Sequence, residues 1–167
     1  MIIMRPVEGA KRELATLCKF CGIDKKSTVV EIGCYAGESS EIFAGIAGTV
    51  ICVDPWEKCE EEDIEAAEKK FDELLLKHGN IVKCKCTSAE YAPMIQDSSV
   101  HLVYIDGNHD EAHAREDIAI WRPKIIPGNY ISGHDYNAIH PGVMRAVNSI
   151  FGVPDRTFEY FSWAVKV

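Results

Sequence analysis

Apolar and polar positions follow two periods along this chain, and the period switches repeatedly. Short apolar runs of strand length recur at 27–33 (STVVEIG), 49–54 (TVICVD), 81–86 (IVKCKC), 99–106 (SVHLVYID) and 129–135 (NYISGHD). Runs this short predict strands buried on both faces. Between them lie segments with helical spacing, at 37–47, 60–80, 88–95, 111–125 and 141–151. In the second of these, Ile64, Ala67, Phe71, Leu74 and Leu75 share a face, and Gly79-Asn80 is the stop. In the fourth, Ala114, Ile118, Trp121 and Ile125 do the same, and Pro141 opens the fifth. Residues 6–20 predict an amphipathic helix ahead of the first strand, and 156–161 and 163–167 two closing strands.

Strand–helix alternation repeated five times predicts an α/β fold, a parallel sheet with helices on both faces. The 167 residues allow one domain: an N-terminal helical segment, 1–27, and a core, 28–167. Ligands of such sheets sit beyond the carboxyl ends of the strands. The residues to weigh are therefore 33–37, 54–56, 86–90, 106–109 and 134–136.

Composition narrows the classes. Hydrophobic residues make up 47% and charged residues 26%, as in ordinary globular domains. The net charge of −8 argues against a nucleic-acid partner held through phosphates. No apolar run reaches the roughly 18 residues of a membrane span, and the first residues are too short in apolar stretch for a signal peptide. A cytoplasmic protein with no membrane partner is expected. Seven cysteines, several in apolar runs, suit reduced buried thiols. Cys18-x-x-Cys21 with Cys84 and Cys86 is nonetheless a candidate zinc set, although C-x-C is unusual spacing for the second pair. The acidic run 57–65 reads as a solvated helix start, with a lid or basic-partner site as the alternative.

The first strand ends in Glu31-Ile32-Gly33-Cys34-Tyr35-Ala36-Gly37. Its glycines let the backbone turn tightly against a ligand, but the spacing is not the G-x-G-x-x-G of a dinucleotide site. Asp54-Pro55-Trp56 follows the second strand; an acid there can accept ribose hydroxyls, and Trp56 could cover an adenine. Ser88-Ala89-Glu90 offers an adenine edge contact, with Ser88 also a helix N-cap. Asp106-Gly107-Asn108-His109 and His134-Asp135-Tyr136 follow the fourth and fifth strands. Two carboxylates with imidazoles at one sheet edge make an oxygen-rich divalent site, suited to Mg²⁺, Mn²⁺ or Ca²⁺; hydrogen-bonded loop groups are the alternative.

From Val29 to Val167 the chain resembles class I S-adenosylmethionine-dependent methyltransferases, closest to the branch of catechol-type, sugar and macrolide O-methyltransferases and cephalosporin-hydroxylase-like proteins. The segments that carry the resemblance are VEIGCYAGESS, Asp54, and YIDGNHDEAHAREDIAIWRPKIIPGNYISGHDY. It implies a Rossmann-like three-layer α/β/α sandwich with a mostly parallel seven-stranded sheet and an antiparallel strand near the C-terminus. It implies S-adenosylmethionine as cofactor, on Glu31, Gly33, Tyr35, Gly37, Ser39, Asp54, Trp56, Ser88, Ala89 and Asp106. Asp106 and Asp135 would hold a divalent cation, with His134 a further ligand, and His109 would be the general base or orient the acceptor. Metal-dependent sugar methyltransferases carry acids where Asn108 and His134 stand. The implied reaction is O-methylation of a small hydroxylated molecule. A nicotinamide oxidoreductase and a cofactor-binding protein without turnover are the competing readings. With few residues outside the core, the acceptor pocket is open, completed by another subunit of a homo-oligomer, or shaped for a large acceptor.

The stretch His109-Asp110-Glu111-Ala112-His113 mimics a zinc-protease helix. That motif needs Glu directly after the first histidine, and Asp110 stands there. His109 is expected to precede the helix, with Asn108 and Glu111 as a capping box and His113 on the helix surface. His78, His101 and His140 receive no role, Arg145 reads as an exposed helix cation, and Phe158, Tyr160 and Trp163 read as sheet packing.

Overall fold

The computed structural model describes residues 7–57 and 63–167. Seven strands form one sheet: β1 (Thr28–Ile32), β2 (Thr49–Asp54), β3 (Ile81–Lys85), β4 (Val100–Ile105), β5 (Ile125–Gly133), β6 (Arg156–Thr157) and β7 (Trp163–Lys166). The order is β3-β2-β1-β4-β5-β7-β6. The first five are parallel to one another, and β7 is antiparallel to both β5 and β6. The order reverses between β1 and β4, so the turns after these two strands diverge and leave a crevice.

Alternation along the strands sorts the core into two layers. Val29 and Tyr104 point to the side covered by α1 (Val7–Phe20), α2 (Glu38–Ile46) and α3 (Ile64–Leu75), where they meet Leu14, Leu17, Phe43 and Phe71. Val30, Ile32 and Val103 point to the other side, against α5 (Glu111–Trp121) and α6 (Pro141–Phe151), meeting Ile118, Trp121 and Val147. A short α4 (Ser88–Tyr91) follows β3. The three-layer α/β/α sandwich inferred above is therefore present, antiparallel strand included.

Several boundaries differ. The 111–125 helix stops at Trp121, and a 3₁₀ turn carrying Pro123 leads into β5, because proline cannot donate to the next helical bond. The closing strand at 156–161 shrinks to Arg156–Thr157, since Phe158 N donates to Ser162 O (2.9 Å) across a turn in which Phe161 has φ 73°. Helix α3 starts at Ile64 with Asp63 as its cap, whose side chain accepts from Ala66 N (3.1 Å). Most of the acidic run lies at 58–62, outside the described residues, as does residue 6 of the first helix.

Candidate active site

Three ladder-like bonds carry strand order into the turns above the sheet. Gly33 N donates to Val53 O (3.0 Å), Asp106 N to Ile32 O (2.8 Å) and His134 N to Ile105 O (3.0 Å). The turns after β1, β2, β4 and β5 are thus fixed side by side. Gly33 has φ 81°, and any Cβ there would overlap the Asp106 carbonyl, so only glycine lets these two turns touch.

Asp54 ties the glycine loop to β2. Its Oδ2 accepts from Cys34 N and Tyr35 N (2.9 Å each), and its Oδ1 from Trp56 N (2.7 Å). A carboxylate has about four lone-pair sites, so one remains for a ligand. This bracket holds Tyr35 at φ 46°, a left-handed conformation that L-residues rarely adopt.

Two cavities open on this end of the sheet. The larger, about 670 Å³, brings together Gly33, Tyr35, Asp54, Ser88, Ala89, Asp106 and His109. The second, about 440 Å³, lies towards α1 and α2 and is lined by Gly33, Tyr35, Ser39, Asp106, His109, His134 and Asp135 among others. Gly33, Tyr35, Asp106 and His109 belong to both walls.

Other expected positions do not reach a cavity. Glu31 is fully buried; its carboxyl accepts from the Ser39 and Ser40 hydroxyls, and burial pushes its pKa up to about 7. It braces the glycine loop from below. Trp56 is not a cover for an adenine: only 5% exposed, its indole N–H donates to Tyr35 O (2.8 Å) and its ring packs on Phe71 (centroids 4.9 Å) under the Lys83 ammonium. Gly37 lines neither cavity and is the left-handed N-cap of α2. Ser88 is not the α4 N-cap; Thr87 is, in a capping box with Glu90, which leaves the Ser88 hydroxyl to accept from Trp121 Nε1 (2.7 Å).

Around Asp135 the imidazoles converge. Asp135 sits at φ 59°, a left-handed conformation that L-residues rarely adopt. His109 Nε2 donates to its Oδ2 (2.8 Å). His134 Nδ1 lies 3.2 Å from the same oxygen and 3.6 Å from Asp106 Oδ1. The other ring nitrogen of His134, Nε2, donates to Tyr160 O (2.7 Å). His140 Nε2 stands 3.7 Å from Asp135 Oδ1, with its ring 4.3 Å from that of His109. The Asp135 hydrogen bond raises the pKa of His109 above the ordinary imidazole value. Burial alone would raise Asp135, but the histidines outweigh it and hold its carboxyl far below the usual range.

The expected capping box between Asn108 and Glu111 is absent. Asn108 Oδ1 accepts from Asp110 N (2.9 Å), Asp110 is the helix N-cap, and Glu111 pairs with Arg145 Nε (2.6 Å). The turn is closed two residues on, so the glutamate is free to staple α5 to α6. Arg145 is thus an exposed but paired cation. The proposed zinc set falls apart: Cys18 and Cys21 lie in one core layer and Cys84 in the other. Burial pushes the Cys18 and Cys21 thiols up to about 12, away from the thiolate that zinc needs. No disulfide joins the six described cysteines.

Sequence reasoning missed Asp117 and His140. Asp117 is a buried acid lining the larger cavity beside Ser88; its burial raises its pKa. The signal was an acid adjoining the apolar stripe of Ala114, Ile118 and Trp121. His140 comes to Asp135 only through the fold of the 135–141 loop. His101 is structural, accepting from Thr28 N at Nδ1 (3.1 Å).

Known proteins share this fold. A putative O-methyltransferase from Klebsiella pneumoniae superposes with TM-score 0.70 at 14% identity, over 99% of this chain and 83% of that one. The O-methyltransferase TomG from Streptomyces achromogenes, solved in complex with SAM, superposes with TM-score 0.67 at 15% identity, over 96% and 80%. A Haemonchus contortus phosphoethanolamine N-methyltransferase gives TM-score 0.59 at 18% identity over 79% of this chain, and the chain spans only 26% of its length. At these identities the likeness is one of fold. No curated protein matches the chain. Among the described residues no helix is long and apolar enough to cross a membrane. The methyltransferase domain model matches residues 30–136, well over half of the sequence, and the chain belongs to that family.

Proposed function

We propose that the protein transfers a methyl group from S-adenosylmethionine to a hydroxyl of a small acceptor. One observation carries this reading: two cavities share a wall made of Gly33, Tyr35, Asp106 and His109. A donor in the larger cavity and an acceptor in the second would meet across that wall. The adenosine would lie along Asp54, Ser88 and Ala89, with Asp54 taking a ribose hydroxyl on its remaining lone pair. Methyl transfer from a sulfonium is an in-line displacement with an activated donor, so alignment supplies most of the rate.

A hydroxyl must also lose its proton. His109 is placed for this. Its Nε2–H is held by Asp135, so Nδ1 carries the free pair and accepts the acceptor proton. The resulting imidazolium is stabilised by the same carboxylate. The new C–O bond forms as the C–S bond breaks, leaving neutral S-adenosylhomocysteine.

The side chains also suit a divalent cation such as Mg²⁺. Asp106, His134 and Asp135 each offer a ligand atom within 4.8 Å of the others, and Tyr160 O fixes Nδ1 as the nitrogen of His134 that faces the carboxylates. When bound, the cation would lower the pKa of an acceptor hydroxyl. The reading places the chain, whose six described cysteines are all free thiols, in the cytoplasm.

Methyl release from labelled S-adenosylmethionine against a panel of hydroxylated acceptors tests the proposal, with Mg²⁺ and with chelator. Turnover that falls at least about 100-fold in His109→Gln is expected. Cofactor binding with no turnover on any acceptor would favour a binding protein instead, and binding of NAD in its place an oxidoreductase.

A further inference from the structure

His140 takes no part in the reaction above, yet it faces the residue that holds the base. We propose that His109, Asp135 and His140 form an inhibitory site for a borderline transition-metal ion such as Zn²⁺ or Co²⁺. Their ligand atoms all lie within 4.8 Å of one another. An ion about 2.05 Å from each ligand in a tetrahedral site sets them about 3.3 Å apart. The separations of 2.8 Å from His109 Nε2 and 3.7 Å from His140 Nε2 to the Asp135 oxygens bracket that value.

The backbone holds the three together before any ion arrives. A Cβ on Gly142 would overlap the His109 carbonyl, so the first turn of α6 rests directly on the His109 turn. Asn137 Oδ1 accepts from Ile139 N (2.8 Å) and His140 N (3.1 Å), which fixes the approach of His140, and Asn137 Nδ2 lies 3.4 Å from Asp135 Oδ1. Both imidazoles are partly exposed, so an ion can enter and keep open positions for water. Two imidazoles and one carboxylate select borderline ions over Mg²⁺ or Ca²⁺, which want oxygen.

Binding would silence the base. Coordination at Nε2 of His109 requires the ring's proton to leave Nε2 and reside on Nδ1; Nε2 then gives its pair to the ion, and no nitrogen is left to accept the proton of a hydroxyl. The binding site stands apart from the methyl-transfer reading; the inhibition rests on it.

The test titrates Co²⁺ and Zn²⁺ into the protein without cofactor, followed by calorimetry and by the visible spectrum of Co²⁺. One ion per chain is expected, not displaced by millimolar Mg²⁺. His140→Ala should weaken binding at least about tenfold, since even partners behind a ligand are worth 10–100-fold. His140→Asn, which puts a favoured N-cap residue ahead of α6, should weaken it likewise and guards against a folding defect. No saturable binding, or equal affinity in both variants, overturns the site. Weakening by Asp106→Asn but not by His140→Ala overturns it too, because the ion then sits with His134. In the activity arm, Zn²⁺ should stop methyl release by the native chain and chelator restore it, while His140→Ala turns over normally and resists Zn²⁺. Equal inhibition of both overturns the inhibitory role. If no acceptor is ever methylated, the methyl-transfer reading fails and the binding arm still decides the site.

Discussion

Asp54→Asn swaps one carboxylate oxygen for an amide, and the structure says what that costs. The side-chain oxygen would keep the Cys34 and Tyr35 N–H groups, as a neutral acceptor. The amide nitrogen would then face Trp56 N–H, donor against donor. One bond is lost, at about 1 kcal/mol, and two lose their charge assistance, at up to about 1 kcal/mol each. Asp54 is half-buried, so water recovers part of this, and about 2 kcal/mol remains. In a domain of this size that lowers Tm by about 4–8 °C. The ribose contact is a second loss: one charged hydrogen bond, about 1.5–3 kcal/mol, or roughly 10–150-fold in affinity for S-adenosylmethionine. Thermal melts and calorimetry at 20 °C separate the two. An unchanged Tm refutes the bracket, and a lowered Tm with unchanged affinity refutes the ribose role.

Asp135→Asn removes the anion that raises the pKa of His109, so the acid limb of kcat/KM should move to lower pH; an unmoved limb argues against His109 as the base. The stabilisation that His109 gains from Asp135 is fully present below the ordinary imidazole pKa and fades as pH rises through the raised one. That of Asp135 is present above the usual carboxylate pKa and fades as pH falls through its lowered one. The stability gap between native chain and Asp135→Asn, read by denaturant melts, should therefore peak at roughly pH 4–6.5. Glu31→Gln removes a buried acid raised from 4.5 to about 7. Ionising it costs stability, so the native chain should weaken against this variant by about 3 kcal/mol between pH 4 and 8; a pH-independent difference refutes the burial argument. Gly33→Ala adds left-handed strain of about 1–2 kcal/mol and a carbonyl overlap of about 1–3 kcal/mol, and should lower Tm by about 5 °C or more. A melt within 1 °C or so of the native one would refute the close approach.

The sheet was legible because buried parallel strands declare themselves as short apolar runs, and five of them fixed the crevice ends to inspect. Gly33, Asp54, Asp106 and His109 could be placed because each lies at the end of a strand or in the turn just beyond it. Trp56 follows one too, but its direction is set by Phe71 and Lys83, which sequence spacing does not show. The same holds for Glu31, whose two serine partners come from α2. The Asn108–Glu111 capping pattern failed because the helix starts two residues later, with Asp110 as its N-cap, and Glu111 turns instead to a tertiary partner, Arg145, 34 residues away. His140 was invisible because only the 135–141 loop brings it to Asp135. The cysteine set failed because a sheet, unseen in residue spacing, divides it.

The central claim is that donor and acceptor meet at the wall shared by the two cavities. A crystal structure of the chain with S-adenosylhomocysteine tests it most directly. The account predicts the ribose on Asp54, the adenine beside Ser88 and Ala89, and the sulfur turned towards Asp106 and His109 at the mouth of the second cavity. Adenosine lying elsewhere, or a sulfur pointing away from His109, would contradict it.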